Sequence, residues 1–402
     1  MLSTITITDE DCKIILNNSE YKEHQYSGKE LLPFTEGRSG VLGEHYKLKI
    51  KLKETPEVVK CFVKRVSKFN KKEEGFYGKI VPKLFEYQIE STKEVLPKCY
   101  YIKNSEYIVL EDLNRCGFFS INTKSLLNVT QVDHLLSSLA KYHAASITYE
   151  IKKGKELDKD FQLCEEFPDE LKEVYYRNFP DGKDVLLSIK NTIASQINLF
   201  EDIVCKSTPK DKLITSLEQL WDSIKDYAKP SQQYKNVMCH GDLWQSNLMY
   251  STSKSQFAII DQQMIRYCPP ALDVMGFIYL TTDKELRNNH LNTLLKKYYC
   301  YLRNELQKYQ IYLDVLIPEE EFLKSCEHYK LFAIMQAFSY AQITYIPCQL
   351  FEKIMGGDDG KTKFLFESRA SVVKNLCEEE PEYKKRQLDV LIDFVEYAEK
   401  NI

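Results

Sequence analysis

The order of hydrophobic patterns limits the possible folds of this chain more than any other feature. Apolar and polar residues alternate early, over 46–52, an apolar run follows over 58–64, and a hairpin pattern follows over 99–113. Alternation with a period of two is typical of half-buried strands. Later apolar residues recur at helical spacing, as in the stripe over 291–306. Strands that precede helices predict an α+β protein of two unequal lobes rather than an alternating fold.

We place the boundary between the lobes near residue 113, where the hairpin pattern ends. A small β-rich lobe with one helix would then cover 1–113, and a large, mostly helical lobe would cover 114–402. A chain of 402 residues is long enough to bury both cores.

The composition excludes several classes of protein. A net charge of −4 argues against nucleic acid as a partner, because phosphate backbones select basic surfaces. The twelve cysteines are scattered and include no C-x-x-C pair, which indicates a reducing compartment. The N-terminus lacks the basic and apolar regions of a secretory signal. We therefore expect a cytoplasmic protein without a membrane partner. We also expect a monomer, although no sequence feature tests the oligomeric state.

One uncharged segment, 331–351, is long enough to suggest a membrane span. It contains Gln336, Gln342 and Pro347, however, and polar residues and proline are unfavourable there. A buried helix of the large lobe is the better interpretation.

Oxygen-bearing side chains follow two short apolar runs. The run 236–239 leads into His240-Gly-Asp242, and Asn247 stands five positions after Asp242. The run 256–260 ends at Asp261. Two neighbouring strands would bring these groups together, and Mg²⁺ prefers oxygen ligands beside substrate phosphates. In protein kinases an Asp accepts the hydroxyl proton, and an Asn with this spacing and a further Asp hold the metal ions.

Each of these residues also has a simpler explanation. An Asp or Asn in a turn commonly caps the turn, and a single histidine such as His240 is commonly a packed core residue. The combination of His-Gly-Asp242, Asn247 and a strand-borne Asp261 is what favours phosphotransfer.

Three glycines, Gly37, Gly40 and Gly43, precede the first alternating run. A glycine-rich turn before a strand can place backbone N–H groups around phosphates. A plain hairpin turn explains the same glycines equally well.

Lys64 ends the apolar run over 58–64, and so we expect it at a strand end rather than on a free surface. A helix over 69–77 would place Glu73 near it, and Pro82 is expected to end that helix. A solvated charged face is the alternative for this segment.

Three further local signals predict helix ends and a loop. Thr130 to Asp133 resembles a capping box at the start of a helix. Asp273 follows two prolines and is expected to cap the next helix. The interval 355–360 contains three glycines and is expected to be a loop.

Taken together, these motifs resemble the ecdysteroid kinase-like proteins of insects, within the choline/aminoglycoside kinase-like group. The matching pieces are Phe-Val-Lys64, Val-Leu-Glu-Asp-Leu113, Leu-Ala-Lys-Tyr-His-Ala-Ala-Ser146, His-Gly-Asp-Leu-Trp-x-x-Asn247, Asp261-x-Gln-x-x-Arg266 and Pro-Ala-Leu-Asp273. They occur in order along nearly the whole chain.

The resemblance implies a bilobal protein-kinase-like fold with ATP and Mg²⁺ as cofactors. It implies transfer of the γ-phosphoryl group to a hydroxyl of a hydrophobic small molecule, an ecdysteroid or a xenobiotic metabolite. By position, Asp242 would be the catalytic base, and Asn247 and Asp261 would be metal ligands.

The resemblance also implies the nucleotide contacts. Lys64 would hold the α- and β-phosphates, paired with Glu73, below the loop of Gly37, Gly40 and Gly43. The backbone around Glu111 to Leu113 would take the adenine edge. The sequence departs from the family pattern at Ser246, at Gln262 and in the G-x-x-G-x-x-G spacing of the loop, and none of these changes removes a group that phosphoryl transfer requires.

Other functions remain open from the sequence. A catalytically weak binding protein could use the same fold, and choline or ethanolamine could be the acceptor, since aromatic side chains suit a quaternary amine. A protein kinase is disfavoured because the A-P-E element is absent from the sequence. The acceptor itself has no motif.

Overall fold

The predicted α+β architecture is confirmed: a five-stranded antiparallel sheet precedes a mostly helical remainder. The structure is a computed structural model that describes residues 5–34, 44–66, 71–176, 184–355 and 358–401. The glycine-rich loop with Gly37, Gly40 and Gly43 lies outside the described residues.

The N-terminal sheet has the strand order β1-β2-β3-β5-β4. Its strands are β1 (Tyr26–Pro33), β2 (His45–Leu52), β3 (Val58–Arg65), β4 (Cys99–Lys103) and β5 (Tyr107–Glu111). Alternation predicted β2 correctly, since Leu48, Ile50 and Leu52 are buried on one face. That face packs against the first helix, α1 (Asp9–Asn17). Because β3 pairs with both β2 and β5, Lys64 lies on an inner strand.

The helical segment after β3 is longer than predicted. α2 (Lys71–Gly75) continues through a π-helical turn (Phe76–Ile80) into α3 (Val81–Glu86). Pro82 does not end the helix but lies in the first turn of α3, where its missing N–H costs least. Glu73 is only 1% exposed, so the alternative of a solvated face is wrong. Packing overrides the weak helix propensity of this stretch.

The longest helix, α4 (Val129–Leu157), begins the helical part of the chain. The predicted capping box at Thr130 to Asp133 is wrong by two residues. Asn128 is the N-cap, its side chain accepts from the Gln131 amide, and the Gln131 side chain accepts from the Asn128 amide. An Asn and a Gln thus form the reciprocal pair.

Short elements connect α4 to the region of the motif. Among the described residues the helices are α5 (Leu163–Glu166), α6 (Pro168–Leu171), α7 (Val185–Lys190), α8 (Ile193–Leu199), α9 (Glu201–Val204), α10 (Lys210–Asp222) and α11 (Ile224–Tyr227). The strands are β6 (Phe119–Ser120), β7 (Val237–Cys239), β8 (Leu248–Ser251), β9 (Gln256–Ile259) and β10 (Arg266–Cys268).

The two strands that flank the motif are not paired with each other, contrary to the prediction. β9 forms a hairpin with β8, whereas β7 pairs with β10. β9 is already paired with β8. β7 therefore pairs with β10, the strand that follows Asp261.

The remaining helices form the large core. They are α12 (Pro270–Thr281), α13 (Lys284–Gln307), α14 (Leu313–Leu316), α15 (Glu319–Thr344), α16 (Cys348–Met355), α17 (Asp358–Thr362), α18 (Ala370–Glu379) and α19 (Pro381–Asn401). The interval 355–360 is not simply a loop, since α17 begins within it.

The uncharged segment 331–351 is divided between two helices. Its first part belongs to the buried helix α15, as predicted, and Pro347 precedes the short helix α16. Within the described ranges, we find no helix that combines the length and the apolar character needed to cross a bilayer. None of the twelve cysteines, all of which are described, forms a disulfide.

Candidate active site

Lys64 on β3 is held between two carboxylates. Its Nζ lies 2.5 Å from Oε2 of Glu73 and 2.5 Å from Oδ1 of Asp261. Burial alone would lower the pKa of Lys64, but the carboxylates of Asp261 and Glu73 outweigh burial and raise it above the usual lysine value. The ammonium group therefore stays charged and joins β3, α2 and the segment after β9.

Asp261 follows β9 in an unusual backbone conformation. Its φ of +66° lies in the left-handed region, which Asp and Asn adopt more readily than other residues with a side chain. The Asp261 side chain is 22% exposed, compared with 5% for Lys64. The carboxylate can therefore bind a cation that approaches from solvent.

The turn after β7 requires glycine. Gly241 has a φ of +77°, and a Cβ atom there would lie 2.6 Å from the Met264 carbonyl oxygen and 2.7 Å from Nε of Arg266. Both the conformation and the close approach of the β10 segment exclude a side chain. This close packing sets the position of the next residue, Asp242.

His240 has a structural role in this turn. Its Nε2 lies 2.9 Å from the Ile260 carbonyl oxygen, and its Nδ1 accepts from the Asp242 amide at 3.2 Å. Because a carbonyl only accepts and an amide only donates, the ring is neutral with its proton on Nε2. Burial lowers the pKa of His240, which favours the same state. The simpler explanation of His240 as a packed histidine fits this geometry.

Asp242 is buried, and both of its carboxylate oxygens are engaged. Oδ2 accepts from Nδ2 of Asn247 at 2.8 Å, and the same nitrogen donates to the Asp242 carbonyl at 2.8 Å. Oδ1 accepts from the Tyr340 hydroxyl. Burial raises the pKa of Asp242 to about 7, and the bonds from Tyr340 and Asn247 oppose this rise. A carboxyl group with a pKa near neutrality suits proton exchange with a hydroxyl.

Asp273 anchors the turn from the side of α12. It does not cap the helix, as the sequence had suggested, because Pro269 is the N-cap and Asp273 lies in the first turn. Its Oδ2 accepts from the His240 amide at 2.6 Å, and its Oδ1 accepts from the Gly241 amide at 2.8 Å. Burial would raise the pKa of Asp273, but the bond to His143 holds it below the usual value.

His143, Cys239 and Asp273 lie close enough to one another to suggest a metal site. Protein groups already satisfy them, however. Nδ1 of His143 lies 2.7 Å from the Tyr298 hydroxyl, its Nε2 lies 3.1 Å from Asp273, and Sγ of Cys239 donates to the Cys268 carbonyl at 3.2 Å. We assign this cluster a structural role beneath the turn.

Gln262 is one of the departures from the family pattern. It links the segment after Asp261, the predicted metal ligand, to α2. Its amide N–H donates to Oε1 of Glu73 at 3.3 Å, and its side-chain oxygen accepts from the Tyr142 hydroxyl at 2.9 Å. The residue is fully buried. The backbone of Gln262, rather than its side chain, therefore helps to keep Glu73 beside Lys64.

The segment from Glu111 to Leu113 lies next to β8 and β9, the strands that lead to Asp261. The Leu113 carbonyl accepts from the Cys116 and Phe118 amides at 3.0 and 3.1 Å, which closes a turn after β5. The Leu113 side chain shares a small apolar cluster with Ile260, the residue before Asp261. The predicted adenine segment and the predicted metal ligand are thus brought close together.

Tyr340 is the contact of Asp242 that sequence analysis missed. It lies near the end of α15, 98 positions from Asp242 in the chain, and its ring packs edge-on against Trp244. The apolar pattern of α15 predicts a helix but gives no signal for this contact.

Among the described residues, the fold groups the predicted site residues into two linked sets. One set contains Lys64, Glu73 and Asp261, and the other contains Asp242 and Asn247. The Ile260 amide donates to the Asn247 carbonyl at 3.0 Å, which joins the two sets.

A family model described as the ecdysteroid kinase-like family matches residues 40–311, more than half of the chain. The chain belongs to the ecdysteroid kinase-like family. The match includes Lys64, Glu73, Asp242, Asn247 and Asp261 but ends before α15. Membership in this kinase-like family supports phosphotransfer.

A curated relative is an uncharacterized oxidoreductase, dhs-27, of Caenorhabditis elegans, which is 22% identical over 227 residues. The match covers 52% of this chain and 24% of the relative, so the chain spans about a quarter of the relative's length. This relative comes from a nematode. The family is shown for this chain, but an insect origin is not.

Two solved structures are similar over nearly the whole chain. An ethanolamine kinase of Plasmodium vivax is 12% identical with a TM-score of 0.42, covering 96% of this chain and 94% of that one. A macrolide 2'-phosphotransferase type I is 11% identical with a TM-score of 0.39, covering 90% and 98% respectively.

Proposed function

We propose that this protein is an ATP- and Mg²⁺-dependent kinase that phosphorylates a hydroxyl of a hydrophobic small molecule, an ecdysteroid or a xenobiotic metabolite. The observation that carries the proposal is the joining of Lys64, Glu73 and Asp261 next to the Asp242–Asn247 pair. Phosphoryl transfer needs a cation for the triphosphate, oxygen ligands for a divalent metal ion and a base for the alcohol, all at one place.

The donor groups fit Mg·ATP. Asp261 offers a partly exposed carboxylate, and Asn247 uses its amide nitrogen to bind Asp242, so its amide oxygen is left for a cation. Oxygen donors of this kind suit Mg²⁺. Lys64 would hold the α- and β-phosphates, and the backbone from Glu111 to Leu113 would take the adenine edge. When bound, Mg·ATP would supply the phosphoryl group and neutralise its charge.

Asp242 would orient the acceptor hydroxyl and accept its proton. The bond from Asn247 fixes the carboxylate, and Asp273 fixes the backbone of the turn that carries it. Positioning of this kind supplies most of the catalysis in phosphoryl transfer. We further propose that the division near residue 113 separates the nucleotide side from the acceptor side, and that the protein is a cytoplasmic monomer.

The substitution Asp242→Asn tests the proposal. We expect the variant to bind Mg·ATP normally but to lose turnover by about a hundredfold or more, because Asn cannot accept the proton. Turnover would be measured with radiolabelled ATP and a panel of steroid, amino-alcohol and phenolic acceptors.

Asp283→Asn is a matched control for this substitution. Asp283 is the N-cap of α13, a position where Asn serves as well as Asp. Its activity should equal that of the wild type. Wild-type turnover in Asp242→Asn would show that the assignment of the base is wrong.

A further inference from the structure

Arg369 is a fully buried cation without an acidic partner. It precedes α18, and its side chain is 0% exposed. Its Nη1 donates to the Ser339 carbonyl at 3.2 Å, and its guanidinium carbon lies 5.3 Å from the centre of the Phe364 ring. Among the described residues, neither Nε nor Nη2 has a hydrogen-bond acceptor in good geometry, although the Tyr175 phenol lies close enough to interact with the guanidinium. Within the described part of the chain, no carboxylate forms an ion pair with it.

Such an arrangement is unfavourable for a residue with only a structural role. Buried charges in proteins are normally paired, and unsatisfied donors carry their full desolvation cost. Burial lowers the pKa of Arg369, but a guanidinium remains protonated under ordinary conditions. The structure therefore holds a buried positive charge in place without an acidic partner among the described residues.

Other buried arginines of the helical part differ in this respect. Arg287 forms an ion pair with Asp393. Arg386 donates three hydrogen bonds to carbonyl oxygens near the end of α12, at 3.0 to 3.3 Å. Arg266 forms an ion pair with Glu173 at 2.8 Å. Arg369 is surrounded by one carbonyl, the Phe364 ring and the Tyr175 phenol, and among the described residues no carboxylate neutralises its charge.

Arg369 is positioned on the acceptor side of Asp242. It binds the carbonyl of Ser339, the residue before Tyr340, and the Tyr340 hydroxyl donates to Asp242. The phenol of Tyr175 interacts with both ends of this arrangement. Burial raises the pKa of Tyr175, the Arg369 guanidinium opposes the rise, and the Asp242 carboxylate adds to it.

The nearby acids are already used. Asp242 accepts bonds from Asn247 and Tyr340, and Glu173 is paired with Arg266. An amine acceptor would need a free carboxylate, and none of these groups provides one. The local charge therefore favours an acceptor with a negative group.

We propose that the acceptor alcohol carries an anionic oxygen group, such as a carboxylate or a sulfate, that binds Arg369 while its hydroxyl replaces the Tyr340 phenol at Asp242. This inference rests on the proposed kinase function. In the reaction, the acceptor oxygen forms a bond to the γ-phosphorus, the bond from that phosphorus to the β-phosphate oxygen breaks, and the hydroxyl proton passes to Asp242. Arg369 and Tyr340 lie after residue 311, where the match to the family model ends.

The test uses two alcohol scaffolds, a para-substituted benzyl alcohol and a hydroxysteroid. Each is supplied with a carboxylate, a carboxamide or an aminomethyl group at the same position. With the full-length wild type, we expect kcat/KM for the carboxylate members to exceed that of the carboxamides by about tenfold to a hundredfold, as for a hydrogen-bonded charge pair. The aminomethyl members should be the poorest acceptors.

The variants Arg369→Gln and Arg369→Lys connect this preference to the residue. In Arg369→Gln, KM for the carboxylate members should rise to the carboxamide value, with KM for ATP unchanged. Arg369→Lys keeps the charge but lacks the planar fork, so it should retain part of the preference. Arg287→Gln is the control: it removes another buried arginine and should lower the melting temperature without changing acceptor preference.

Four results would overturn the inference. Three are equal use of carboxylate and carboxamide, a preference for the amine, and a carboxylate preference that survives in Arg369→Gln. The fourth is normal Mg·ATP binding without phosphorylation of any member. Failure to bind Mg·ATP at all would instead refute the proposed kinase function, so the two failures are distinguishable.

Discussion

At the scale of single residues, the site depends on positions where the local environment leaves few choices. Gly241 and Lys64 illustrate two different constraints. Gly241 is limited by space and backbone conformation, whereas Lys64 is limited by the charges buried around it.

We expect Gly241→Ala to destabilise the protein more than Gly117→Ala. Both glycines have a left-handed φ, of +77° and +80°, which costs a residue with a side chain about 1–2 kcal/mol. A Cβ at Gly117 would meet nothing closer than 3.8 Å, whereas at Gly241 it would collide with backbone at 2.6 Å. Urea unfolding measures the difference, and equal losses would contradict the close approach.

Removing the Lys64 charge should cost far more than removing an exposed lysine. Lys64→Met leaves Glu73 buried without its partner, and breaking one side of a buried pair costs about 3–5 kcal/mol. The double variant Lys64→Met/Glu73→Gln should recover part of this loss in unfolding free energy while remaining unable to bind ATP.

Lys49→Met provides the comparison for Lys64. Lys49 pairs with Glu30, and both side chains are well exposed, at 35% and 45%. An exposed pair contributes about 0–1 kcal/mol. A similar loss of stability in Lys49→Met and Lys64→Met would disprove the energetic distinction.

At the scale of elements, α2 connects the sheet to the helical part through more than Glu73. Nζ of the neighbouring Lys72 donates to the Lys172 carbonyl at 2.7 Å and to the Ile265 carbonyl. Burial lowers the pKa of Lys72 to about 7, and the nearby Arg266 charge adds to this effect. The lysine that holds the helix thus has a lowered pKa.

This shift predicts a pH dependence of stability. Between about pH 7 and 10.5 the native state holds one proton fewer than the unfolded chain at Lys72, so stability rises with pH in this window. The slope should be at most ~1.4 kcal/mol per pH unit. Urea unfolding across this range should show a smaller slope in Lys72→Met than in the wild type.

The exposed neighbour Lys71 is the control for this experiment. Lys71→Met should keep the wild-type slope. An unchanged slope in Lys72→Met would show that Lys72 titrates normally in the folded protein.

At the scale of the whole molecule, the ion pair between Lys64 and Asp261 joins the N-terminal sheet to the helical part. A ligand that binds this junction only in the folded state stabilises both parts together. Mg·ATP at about 100 times its Kd should add roughly 2.7 kcal/mol of stability.

Thermal unfolding with and without Mg·ATP measures this gain. Chelation of Mg²⁺ with EDTA should remove most of it, because the oxygen donors at Asn247 and Asp261 act through the cation. The Asp261→Asn variant should show a smaller shift. No shift in the wild type would favour a binding protein without nucleotide-dependent activity.

Much of the fold could be predicted from the sequence because its signals are local. Alternation in 46–52 identifies β2, since a half-buried strand needs a period of two, and the short apolar run over 58–64 identifies β3. Apolar residues at helical spacing identify α13, α15 and α19, because one face of each helix is buried. The spacing of Asp242, Asn247 and Asp261 indicated a shared site from residues that lie within one short stretch.

Only the tertiary structure decided which distant groups complete that site. Asp273 supports the turn rather than capping its helix, Tyr340 binds Asp242 from 98 positions away, and Arg369 has no acidic partner among the residues that the structure describes. Periodicity predicts which face of a helix or strand is buried. It does not predict which polar groups on other elements will contact that face. That choice depends on how the helices pack against one another, and long-range packing leaves no pattern in a single sequence.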